Sequence, residues 1–89
     1  MKVVYMKNAK ADLDHWRKHN KKIADRIEQL IQNIELNPYT GLGKPEPLCH
    51  NRSGYWSRRI TKEHRLLYRV LEDGEVLIIQ CRYHYHKSS

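Results

Sequence analysis

No stretch of the sequence holds 18 consecutive apolar residues, so no segment reads as a membrane-spanning helix. The opening MKVVYMKNAK has too short an apolar run, and meets charge too soon, to act as a secretory signal. Cysteine is scarce. Cys49 and Cys81 are too few for the disulfide framework of a secreted domain, or for a zinc site by themselves. Reduced thiols in a cytoplasmic protein, each packed as a small side chain, are the expectation. Internal repeats and low-complexity segments are also lacking. Acids are few: 10 against 17 lysines and arginines, for a net charge of +7 and a pI near 9.6.

The 89 residues make one domain, expected over positions 1–85 with a short tail at 86–89. A domain of this size buries roughly 60–65% of its unfolded surface, so its stability margin is thin. Its positive charge points to a polyanionic partner, nucleic acid or an anionic surface. The excess peaks between positions 52 and 69, where Arg52, Arg58, Arg59, Lys62, Arg65 and Arg69 face the single acid Glu63. A solvated face that keeps a small protein soluble would look similar. Arginine's predominance over lysine there favours phosphate, because the guanidinium fork matches phosphate oxygens.

Val3, Val4 and Tyr5 form a short β-prone run, and Asn8 is a candidate cap for a following helix. That helix carries Ala9, Leu13 and Trp16 at i, i+4 and i+7. His19 and Asn20 interrupt it. A second helix follows, with Ile23, Ile27, Leu30, Ile31 and Ile34 on one stripe, and it stops at Asn37-Pro38. So short a break implies an antiparallel helical hairpin. The loop PYTGLGKPEP (38–47) holds all three prolines and stiffens the backbone around Glu46. Beyond it the period changes to two. YWSRRI (55–60), RLLYRV (65–70) and VLIIQCRYHY (76–85) read as strands, with LCHN (48–51) as a short extra one. Short connections, one with an Asp73-Gly74 turn signal, imply an antiparallel meander.

The expected fold is therefore α+β: a strand, two helices, then an antiparallel sheet of three to four strands with the helices on one face. Alternation places Arg65, Leu67 and Arg69 on one face, and groups Gln80, Arg82 and His84 along the last strand. An uncovered face of that kind suits nucleic acid. Metal-free RNA cleavage needs a base for the 2′-hydroxyl, a cation for the phosphorane and an acid for the leaving oxygen. Glu46, an arginine and His84 supply those types. Read alone, Glu46 is more readily a plain loop carboxylate than a base. His84 and His86 are spaced as strand neighbours that could begin a metal site, but no third ligand is suggested. Tyr83 and Tyr85 read as packing residues, and Trp16 and Trp56 as core.

GKPEPL (43–48), SGYWSRRIT (53–61), EHRLLYRV (63–70) and CRYHY (81–85) resemble, in order and spacing, the YoeB/Txe family of RelE-like toxins. The resemblance runs over residues 1–85, and its second half is the specific part. It implies a microbial-ribonuclease-like fold and a toxin of a type II toxin–antitoxin system. It also implies ribosome-dependent cleavage of mRNA in the A site, without metal or cofactor. By matching motif, Glu46 would be the general base, Arg65 the transition-state cation, His84 the general acid, and Tyr85 a substrate-placing residue. Lys44 and Arg59 fall where the family has phosphate-contacting cations, and Arg58, Arg69 and Arg82 are added to that set by charge.

Members commonly end at or just after the His-Tyr pair, whereas His86-Lys87-Ser88-Ser89 follows here. The resemblance further implies a Phd/YefM-like antitoxin, the 70S ribosome with its mRNA, and operator DNA reached through the antitoxin complex. Family toxins also dimerise, though no surface for that is evident in the sequence. Two other readings stand beside this one: a non-hydrolytic ParE-like inhibitor of gyrase, and a basic RNA-binding module without chemistry.

Overall fold

The computed structural model describes residues 2–48 and 54–84, which form two layers. Strand β1 (Val3–Tyr5) leads into helix α1 (Lys7–His19), and helix α2 (Lys21–Leu36) follows after a single residue. Four strands follow among the described residues: β2 (Glu46–Pro47), β3 (Tyr55–Arg59), β4 (Arg65–Val70) and β5 (Val76–Gln80). They make one sheet in the order β1-β5-β4-β3-β2, antiparallel except where β1 runs parallel to β5.

The helical periods are as expected, with one correction at the start of α1. Asn8 is not its cap. The helix begins at Lys7 after Met6, which makes no side-chain cap bond. The Met6 N–H is instead bonded to the Ile78 carbonyl at 2.9 Å, so pairing with β5 runs up to the first helical turn. Asn20 does cap α2: its Oδ1 accepts from the Ile23 N–H at 3.3 Å. Ala9, Leu13 and Trp16 of α1 and Ile27, Leu30, Ile31 and Ile34 of α2 are buried against Leu66, Tyr68, Val76 and Ile78 of the sheet. The helices thus cover one sheet face, and both tryptophans belong to that side, Trp16 within the core and Trp56 packed partly buried against it.

The last strand is shorter than its alternation suggests. It ends at Gln80, not at Tyr85. The cause lies in the register: Leu67 pairs with Gln80 but Tyr68 pairs with Ile78, so Ile79 is an extra, bulged residue. Without the bulge, Gln80 would share the core face of Val76 and Ile78. With it, Gln80 joins the open face beside Leu67, and Cys81 enters the core, fully buried. Strand alternation does not extend past Gln80, where β5 ends, although Gln80, Arg82 and His84 still line one groove. A short strand, β2, is found before the proposed one at 48–51, of which Cys49, His50 and Asn51 lie outside the described residues.

Burial pushes the Cys81 thiol up to about 12, with the Asp12 carboxylate adding to the effect. Burial likewise raises the phenols of Tyr5 and Tyr68. All three are neutral acids held above their unfolded values, so they favour the folded state fully below those values. That contribution is lost as pH rises through roughly 9 to 12, where the unfolded chain ionises first. Urea midpoints measured from pH 8 to 11 are expected to fall steadily, and less steeply in Cys81→Ala.

Candidate active site

The site is built from the loop that leaves α2. This helix has no basic residue in its last turn, so its terminal carbonyls lack a cation of their own. Arg58 of β3 supplies one from the sheet. It is fully buried, and all five of its N–H groups have acceptors. Nε donates to the Tyr68 hydroxyl at 3.2 Å, and Nη1 donates to Asn33 Oδ1 and to the Leu42 carbonyl at 3.0 Å. Nη2 donates to the carbonyls of Asn37 at 2.7 Å and Thr40 at 3.1 Å. Tyr68 in turn donates to the Pro38 carbonyl. The loop is wrapped around a single guanidinium.

Two further contacts lead this loop to Glu46. Asn33 Oδ1 also accepts from the Leu42 N–H at 3.0 Å, and Gly41 passes so close that a Cβ there would lie 2.1 Å from the same oxygen. The Gly43 carbonyl accepts from the Arg59 N–H at 2.7 Å. Lys44 then adopts a left-handed conformation (φ 52°), which is uncommon for a residue with a side chain. Glu46 follows on the edge strand, where its proline neighbours are tolerated, and pairs with Ser57.

The register defines what the open face carries. One row crosses the sheet as Glu46, Ser57, Leu67 and Gln80, of which Ser57 and Leu67 are buried. The next pairs Arg59 with Arg65, and on the other side Tyr55 pairs with Arg69, whose guanidinium lies 5.4 Å from the Tyr55 ring centre. Paired residues project to the same face, so Glu46, Arg59, Arg65 and Arg69 share it. Arg65 is further fixed by its own hairpin turn. Its Nη1 donates to the carbonyls of Thr61 at 2.8 Å, His64 at 3.1 Å and Lys62 at 3.2 Å.

The segment after β5 lies along the start of β4. The Arg65 N–H donates to the Tyr83 carbonyl at 3.0 Å, which brings the residue preceding His84 to the Arg65 backbone. His84 is exposed and lines a groove with Asn8, Ala11 and Asp12 of α1 and Gln80 at the end of β5. Along the sheet, Glu46 on β2 and the segment bearing His84 thus lie to either side of Arg65 on β4.

The remaining predicted residues divide. Arg58 is a correction: buried and fully bonded, it cannot reach a phosphate. The signal was present, since Arg58 falls between Trp56 and Ile60 on the inward parity of β3. Arg82 is half-buried, with its guanidinium 5.8 Å from the Trp16 ring centre and 4.6 Å from that of Tyr83. Its Nε is buried without an acceptor among the described residues. Lys44, Arg59 and Arg69 are exposed. Tyr85 and His86 lie outside the described residues.

A basic α+β chain with an arginine-rich open sheet face is the form of the small RelE-like toxins. Comparison narrows this. The family described as "YoeB-like toxin of bacterial type II toxin-antitoxin system" matches residues 5–85. The toxin YoeB of Escherichia coli K12 is 48% identical over 85 residues, covering 96% of this chain and 100% of that protein. A solved YoeB/ParE toxin from Agrobacterium tumefaciens superposes with a TM-score of 0.92 at 44% identity, covering 96% of this chain and all of the other. The toxin in a YoeB–YefM complex from Staphylococcus aureus gives a TM-score of 0.86 at 40% identity, covering 96% and 98%. The chain belongs to the YoeB-like toxin family of bacterial type II toxin–antitoxin systems.

Proposed function

We propose that the protein is a ribosome-dependent endoribonuclease that cleaves mRNA in the A site and so arrests translation. Glu46 takes the 2′-hydroxyl proton, Arg65 stabilises the phosphorane and His84 protonates the leaving 5′-oxygen. Arg59, Lys44 and Arg69 contact neighbouring phosphates, and Tyr85 helps to seat the nucleotide. The single observation that carries this reading is the order along the sheet, with Arg65 between Glu46 and the segment bearing His84. No step requires a metal or cofactor, and products would carry a 2′,3′-cyclic or 3′-phosphate and a 5′-hydroxyl. A YefM-like antitoxin, the partner of the Staphylococcus aureus relative, is the expected inhibitor. Its acidic segment would cover the basic face, and the complex would contact operator DNA.

Mapping mRNA 5′ ends after induction tests the proposal. New ends at fixed codon positions within translated frames are expected. Unchanged ends, with inhibited gyrase supercoiling, would instead assign the chain to ParE-like chemistry.

A further inference from the structure

The 61–64 turn has a second connection, outside the catalytic set. The Tyr83 N–H donates to His64 Nδ1 at 2.8 Å. A ring nitrogen that accepts carries no proton, so this geometry requires the tautomer with its proton on Nε2. The ring meets the edge of Trp16 at 4.8 Å and 74°. The backbone of the same residue is fixed as well: its N–H donates to Thr61 Oγ1 and its carbonyl accepts from the Ile60 N–H. Trp16 Nε1 also donates to the Cys81 carbonyl at 2.9 Å, and Asp12 Oδ2 accepts from the Cys81 N–H at 3.0 Å.

Tyr83 itself is left-handed (φ 67°), an outlier for a bulky side chain that persists only where its surroundings over-determine it. Those surroundings are on the page. Its N–H goes to His64, while its carbonyl accepts from the Arg65 N–H and from Gln80 Nε2. The same turn that anchors the Arg65 guanidinium therefore also anchors the residue that sets the direction of His84.

We propose that His64 is a positioning residue: its Nδ1 holds Tyr83 in the left-handed conformation and fixes His84 relative to Arg65. The catalytic consequence rests on the ribonuclease reading, whereas the conformational claim stands without it.

The test uses the purified full chain. In the wild type, the nitrogen-15 spectrum of His64 should show a non-protonated Nδ1, and a protonated Nδ1 would overturn the proposal without any variant. Amide exchange at Tyr83 should rise about 10- to 100-fold in His64→Leu, and in His64→Gln, whose oxygen sits at the Nε2 place. His64→Asn, whose oxygen occupies the Nδ1 place, should restore protection. Equal protection in all three variants would overturn the proposal. On programmed ribosomes, His64→Leu should lower the cleavage kcat by up to ~10²-fold with little change in KM, as for a misplaced catalytic group, and Asn should recover most of it. Full kcat in His64→Leu with an unprotected Tyr83 would refute the link to His84. Cleavage absent in the wild type would refute the ribonuclease reading and leave the exchange result to decide the rest.

Discussion

Arg58→Met should unfold most of the population at 37 °C, or lower Tm by about 15–30 °C. The substitution leaves four carbonyl or amide oxygens and the Tyr68 hydroxyl without their shared donor. Removing one side of such a buried charged network costs about 3–5 kcal/mol. A chain this long has a total stability of roughly 4–13 kcal/mol, and about 1 kcal/mol moves Tm by ~4–8 °C at this size. Arg58→Lys keeps the charge but offers three donors in place of five, and should fall between the two. Thermal unfolding followed by circular dichroism distinguishes this from a phosphate-binding role. An unchanged Tm with weakened RNA affinity would return Arg58 to the phosphate-contacting set.

Glu46→Gln and His84→Gln should act in the opposite manner, leaving the fold intact and removing the chemistry. Both side chains are exposed, and the exposed loop carboxylate Glu46 should change stability by no more than ~0.5 kcal/mol when replaced. Each deletes a proton-transfer group and should slow single-turnover cleavage by ~10²–10⁴-fold. Arg65→Ala should cost ~10²–10³-fold through lost electrostatic stabilisation. The effects should not multiply: Glu46→Gln combined with His84→Gln should fall short of the product, because the two groups serve one step. Growth on induction gives the same ranking in cells. Full toxicity of His84→Gln would remove that residue as the general acid.

Much of this was legible in sequence because it depends on period. The stripes of the two helices and the inward set Leu66, Tyr68, Val76 and Ile78 are local patterns, and local patterns survive folding. The loop braced by Pro45 and Pro47 announced a stiff mount for Glu46. What escaped was set by single tertiary contacts. Arg58 was counted with its neighbours by charge, although its parity on β3 already pointed inward toward α2. The bulge at Ile79 has no composition signature, yet it reverses the face of Gln80 and ends the strand before the histidine. Asn8 lost the cap of α1 because the Met6 N–H was already engaged by Ile78. His64 stood within the EHR motif, but only its distance to Tyr83 gives it a role.

The most direct measurement is the chemistry of the cut. Purified protein would be mixed with 70S ribosomes carrying a defined mRNA and an empty A site, and the fragment ends would be identified. Cleavage in the A-site codon is expected, giving a 5′-hydroxyl on one fragment and a 2′,3′-cyclic or 3′-phosphate on the other, and Glu46→Gln should slow the appearance of both by ~10²–10⁴-fold. Intact mRNA, or fragments that begin with a 5′-phosphate, would contradict the proposed acid–base mechanism.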